Sequence, residues 1–225
     1  MSLTTTPSLA TLLVLADGRL PSGGHAHSGG LESAVTSGRL RDLAGLADFL
    51  RGRLATTGRV GAAFAACACA GRVPVAELDQ GLDARTPSPA LRRASRAQGR
   101  ALLRAGRAIF GSVVLPAGTP PAGPHQPVAL GLVSAAAGLG PTEAAVASAY
   151  GAISGPASAA VRLLGLDPYA VHALLAGLAG ECDRLAADAA GRVDDPVDDL
   201  PADSAPLLEI GAELHACQEV RLFAS

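Results

Sequence analysis

Two imidazoles separated by one residue, His25 and His27, stand in the stretch Pro21–Gly30, whose ten residues include four glycines and one proline. In extended backbone, residues two apart project to the same side, so both rings would reach one ion. Imidazole suits nickel, zinc and copper, which makes these two histidines the candidate metal ligands. Two ligands alone do not make a tight site, and the alternative is a pair of polar contacts within a glycine loop. Cys67 and Cys69 repeat the spacing in a stretch that reads as helix. Residues two apart there diverge by about 200° around the axis, so burial as small apolar side chains is expected instead.

Arginine is the second concentration of chemistry. All 18 basic residues are Arg, and seven of them fall between Arg85 and Arg107. Arg92, Arg96, Arg100 and Arg104 recur every four residues, and no acidic residue occurs between Asp83 and Glu143. From Arg162 onward the net charge is -8, against +6 before it. Opposite-sign surfaces of this kind suit protein partners and steered docking. Nucleic acid is the weaker reading, because the whole chain carries -2 and only Phe110, at the end of the Arg run, could stack on a base. No phosphate-binding GxxxxGK[ST], GxGxxG, HExxH or GxSxG occurs, so no recognisable nucleotide or hydrolase site is present.

The elements that must position these residues read as helices. Of 225 residues, 48 are Ala, 3% are aromatic and none is Trp. Small aliphatic side chains suit close-packed helices and serve strands poorly. Apolar residues at helical spacing predict helices over 8–18, 42–57, 60–70, 75–82, 90–110, 128–139, 142–164, 168–190 and 207–216, with a short one over 30–38 capped by Ser28. Residues 111–127, rich in proline and glycine, read as a loop. The expected architecture is an all-α, single helical-bundle-like domain of eight to ten helices over residues 1–191. An acidic, mobile linker follows over 192–206, and a partner-binding helix with a flexible tail over 207–225.

Residues 144–161 carry no charge, but the run is short and rich in Ala, Ser and Gly, so it reads as a buried helix and not a membrane span. The first sixteen residues lack a basic n-region, and four scattered cysteines show no disulfide pattern. A cytoplasmic protein with reduced thiols is therefore expected.

The loop from Leu20 to Glu32, with Pro21, Gly23, His25, His27, Ser28, Leu31 and Glu32, resembles the N-terminal signature of the UreF family of urease accessory proteins. Leu91-Arg92 with Ser95 and Gly99, then His125, Gly131 and Gly138, then Tyr150 and Arg162, resemble later family segments in the same order. The ending, His215 followed by Arg221-Leu222-Phe223 and Ser225, resembles the family's terminal pattern. Departures fall at His25, at Leu164–Pro168 and at Ala216. The resemblance implies an all-α protein without catalysis of its own, a co-chaperone for nickel insertion into urease. It implies a homodimer that binds the UreD/UreH accessory protein and apo-urease, and that recruits and regulates the UreG GTPase. No stably bound cofactor is implied, and nickel would be in transit. The residues expected to contact partners are those of the loop, Arg92, Arg96, Arg162, His215, Arg221, Leu222 and Phe223. Two rival readings are a metal-dependent enzyme using His25, His27 and His125, and a nucleic-acid binder using the Arg helix.

Overall fold

The computed structural model describes residues 8–111, 113 and 118–225, and every regular element among them is helical. In chain order these are α1 (Leu9–Ala16), α2 (Leu31–Thr36), α3 (Leu43–Arg53), α4 (Arg59–Ala70), α5 (Val75–Ala84), α6 (Pro89–Phe110), α7 (Gln126–Ala136), α8 (Pro141–Leu164), α9 (Pro168–Gly191) and α10 (Pro206–Ala216). Residues 112 and 114–117 of the expected 111–127 loop lie outside the described residues.

Local chemistry sets the helix ends. Asp42 accepts from Gly45 N at 2.8 Å to start α3, and Ser88 from Leu91 N at 3.1 Å to start α6. Pro89, Pro141 and Pro168 occupy first-turn positions, where a missing N–H costs nothing. Gly71 and Gly165 take the left-handed conformation that closes α4 and α8.

Helix α4 is the axis of the molecule. Residues 60–68 are all buried, and α7, α8 and α9 pack around it. Small residues allow that crowding: a Cβ at Gly131 of α7 would stand 2.4 Å from Ala65 O of α4. Helices α3 and α4 were expected to be separate, but a π turn over Leu54–Gly58 joins them. Helix α6 lies on α7, and α10 lies across α6 and α2. No helix among the described residues is long and apolar enough to cross a membrane. The uncharged run in α8 is instead packed, with Ala144, Ala145, Ala149, Ile153 and Ala160 buried.

The acidic segment differs from expectation. Residues 192–206 are not a free linker, because Val197 and Leu200 enter the core around Phe64, Leu78 and Val128. Arg85 grips the segment through its backbone, donating to Pro201 O, Val197 O and Leu200 O at 2.8, 2.7 and 3.0 Å. Asp194 pairs with Arg72, and Asp203 lies 3.6 Å from Arg59. Acidic side chains hid a backbone that alternates outward carboxylates with inward Val193, Val197 and Leu200. The tail is seated too: Phe223 is 5% exposed and packs in the core formed by α2, α3, α8 and α9.

Candidate functional site

The glycine loop and the chain's last residues form one structure. Gly23, Gly29 and Gly30 all have positive φ, which folds the loop back tightly before α2. Backbone bonds then tie it to the tail: Ala224 N donates to Ala26 O at 2.7 Å, and Ser28 N to Ser225 O at 2.6 Å. Ser28 Oγ donates to Ser225 O at 3.0 Å and accepts from Glu32 N at 3.2 Å. His27 Nδ1 stands 2.6 Å from Ser225 Oγ.

Glu32 carries the centre of this junction. Its Oε2 accepts from His215 Nε2 at 2.8 Å and from Phe223 N at 3.1 Å, and its Oε1 from Leu222 N at 2.8 Å. Burial works against the charge, but the Leu222 N–H, the His215 ring and the Phe223 N–H outweigh it, so the carboxyl sits below its ordinary range. The Arg162 guanidinium lies 4.8 Å from the Phe223 ring centre.

Outside this junction is a cleft of ≈560 Å³ between α1, the loop, α8 and α9, lined by His25, His27, Tyr150, Arg162, His172 and Phe223, among others. Pro21, His25, Arg162, Arg221 and Leu222 are exposed, and Gly23 and His27 half-buried. Ser28, Leu31, Glu32, His215 and Phe223 are buried, so these expected contact residues hold the loop and tail together and present no surface of their own.

The extended backbone expected to carry the two histidines does not form. Gly24–Ala26 is a 3₁₀ turn and not extended backbone, so His25 and His27 lack the same-side projection of a strand. Among the described residues, the metal-type cluster is Asp79, Asp83 and His125, which includes neither of them. Burial and the neighbouring His25 charge push His27 down, which favours the neutral ring bonded to Ser225.

That other cluster already holds a cation. Arg96 Nη2 lies 2.7 Å from both Asp79 Oδ2 and Asp83 Oδ2, and Nη1 donates to Gly123 O at 2.7 Å. His125 N donates to Asp79 Oδ1 at 2.8 Å, and the ring spans Asp83 Oδ1 and Ser95 Oγ, each at 3.0 Å. Burial pushes His125 down, so the neutral ring with its proton on Nε2, facing Asp83, fits both neighbours. Burial opposes the Asp83 charge, but His125 and Arg96 keep the carboxyl low. The network fixes the 118–127 loop against α5 and α6. His125 is thus a structural residue apart from His25 and His27, which removes the geometry an enzyme built on all three would need.

The Arg face is also revised. Arg92 turns inward, donating to Thr86 O at 2.6 Å, and Arg96 is tied as above. The outward row is Arg93, Arg100, Arg104 and Arg107, within about 60° of the helix circumference. The i,i+4 pairing of Asp79 with Asp83, facing that of Arg92 with Arg96, was the available signal for the network. Cys67 and Cys69 are apart as expected, their thiols pushed up to about 11 by burial.

The second exposed feature is the outer face of α10. Leu207, Ile210 and Leu214 are 63%, 58% and 64% exposed, while Gly211, Ala212 and His215 face inward.

The UreF family model matches residues 40–179. A urease accessory protein UreF from Mycobacterium sp. (strain JLS) is 49% identical over 220 residues, covering 97% of this chain and 99% of the relative. Proteins of the same name from Mycolicibacterium vanbaalenii and Mycobacterium marinum are 46% and 45% identical, each over 97% of this chain and 99% of the relative.

Proposed function

Since the chain belongs to the UreF family of urease accessory proteins, we propose that it is a non-catalytic co-chaperone for nickel insertion into apo-urease. In this reading it works in the cytoplasm as a homodimer. It bridges the UreD/UreH accessory protein and the UreG GTPase and regulates GTP hydrolysis by the latter. Nickel is cargo, and the chain retains no cofactor.

One observation carries the reading: α10 turns three large apolar side chains, Leu207, Ile210 and Leu214, to solvent while its inner face is fastened to the domain. A fastened helix with an apolar outer row is pre-organised for a partner's groove, and each such side chain contributes about 1.5–3 kcal/mol when covered. We assign this row to UreD/UreH. The outward row of Arg93, Arg100, Arg104 and Arg107, with Arg162 at the cleft, is assigned to the GTPase. A stripe of outward guanidinium groups, none in an ion pair with a carboxylate within 4.0 Å among the described residues, steers an acidic surface, and this contact should weaken with salt.

The test is co-expression with UreD/UreH, UreG and the urease subunits, followed by pull-down and urease assay. Replacing Leu207, Ile210 and Leu214 together by Ser should leave the melting temperature in place and remove UreD/UreH from the pull-down. Full urease maturation by that variant would refute the assignment.

A further inference from the structure

Pro156 lies inside α8 and brings no N–H, so the carbonyl of Ala152 has no helical donor. Arg53 supplies one: Nε donates to Ala152 O at 2.9 Å, and Nη1 to Gly29 O at 2.6 Å. A guanidinium carries five N–H groups. The other three of Arg53 have no acceptor among the described residues, and no described carboxylate pairs with it. Arg85 nearby differs, because its donors are taken up by backbone carbonyls.

Arg53 stands immediately before the π turn, and Thr57 within that turn has a buried Oγ1 with no hydrogen-bond partner. Both line a cavity of ≈210 Å³ that Ser95, Gln98 and Gln126 also line. Two acids reach its wall, and both are engaged: Asp203 lies 3.6 Å from Arg59, and Glu209 accepts from Ser88 N at 2.7 Å. Burial pushes Arg53 down only to about 10, so it stays a cation at neutral pH.

We propose that this cavity binds a small oxyanion, of the sulfate, phosphate or carboxylate class, between the free edge of Arg53 and the Thr57 hydroxyl. An inward cation without counter-charge is costly, and an anion removes that cost. The guanidinium fork matches two oxygens of one ion. The orphaned hydroxyl adds a third donor, and π turns that open a helix recur at binding sites. This site is independent of the partner-bridging role, since neither α10's outer row nor the outward Arg row takes part.

Two measurements on the full chain test it. The first is anomalous scattering from crystals soaked in selenate. The second is thermal denaturation in sodium sulfate against sodium chloride at equal ionic strength, for wild type, Arg53→Gln and Thr57→Val. Sulfate stabilises proteins generally by exclusion, so the difference between variants decides and not the rise itself. The expected result is a selenate peak beside Arg53 and Thr57, with a saturable sulfate-dependent rise in Tm that both variants lose. Absence of that peak at saturating selenate, or an unchanged saturable rise in the variants, overturns the proposal. If Arg53→Gln does not fold, Thr57→Val, which preserves shape, decides alone.

Discussion

Glu32 and His215 are 183 positions apart and form a buried contact of 2.8 Å, and the same carboxylate accepts the backbone N–H groups of Leu222 and Phe223. One side chain near the start of α2 therefore fixes both the last helix and the tail beyond it. Ser28 and Ala26 repeat the connection through backbone bonds to Ser225 and Ala224. The loop conformation and the tail conformation consequently depend on each other.

Acid should release this junction first. Glu32 is held below its ordinary range, so its contribution is fully present above the unfolded-state value and is lost as pH falls through the folded value. Tail protection in hydrogen exchange, read at Leu222 and Phe223, is expected to disappear on acidification before the α4 core amides exchange. Glu32→Gln should abolish that pH step and destabilise the chain by about 2–3 kcal/mol, since a neutral amide replaces a charged acceptor of three donors. A pH step that persists in Glu32→Gln would assign it to another group.

The all-helical class and most helix positions were legible because apolar spacing and cap residues act locally. The prolines at 89, 141 and 168 stand at helix starts and the glycines at 71 and 165 at helix ends. The tail and the acidic segment were misread because their anchors are distant in sequence: Glu32 for Phe223, and Arg85 for residues 197–201. Composition marks Asp-rich segments as solvated, yet every third or fourth residue here is an inward Val or Leu. The family pattern named Ser28, Glu32, His215 and Phe223, but naming did not separate residues that face a partner from those that shape the surface. Arg53 left no sequence signal, because its role follows from a proline on another helix.

Close approach of backbone makes Gly99 the most sensitive glycine of α6. A Cβ there would stand 2.1 Å from Pro124 O. Gly99→Ala must push the 118–127 loop off the helix and disturb His125 with its Asp79 and Asp83 partners. A loss of about 3 kcal/mol or more is expected in denaturant unfolding, well above the small gain that alanine normally brings to a helix. Gly52, with open space around its Cβ position, is the control and should be stabilised by the same change. Equal effects at the two positions would show that the loop is not pressed on α6.

Arg96 should block metal binding at the acidic cluster. Its guanidinium fills the position between Asp79 and Asp83, and a divalent ion would need to displace it. Nickel or zinc titrated into the wild-type chain is expected to leave the 118–127 loop signals in NMR unchanged. Arg96→Met removes the cation and leaves two carboxylates and His125 within reach of one another. That variant should be destabilised by about 3–5 kcal/mol, as for a broken buried pair, and should recover part of the loss on adding metal. Metal-induced shifts at His125 in the wild type would contradict this arrangement.

The two faces of the C-terminal segment should separate stability from partner binding. Phe223 is 5% exposed and packed in the core beneath Arg162, whereas Leu214 is 64% exposed and Leu222 69%. Phe223→Ala opens a cavity and is expected to cost about 3–5 kcal/mol. Leu214→Ala removes no buried contact of comparable size and should stay within about 0.5 kcal/mol of wild type. Deleting residues 207–225 should therefore lower the melting temperature sharply, because Glu32 loses three donors and the core loses an aromatic ring. In pull-down the order reverses for point variants: Leu214→Ala weakens UreD/UreH capture while the fold is intact. Phe223→Ala weakens it in proportion to the fraction unfolded. Partner capture that survives loss of the Leu207, Ile210 and Leu214 row would move the docking surface elsewhere, and an unchanged melting temperature in Phe223→Ala would show that the tail is not seated in solution.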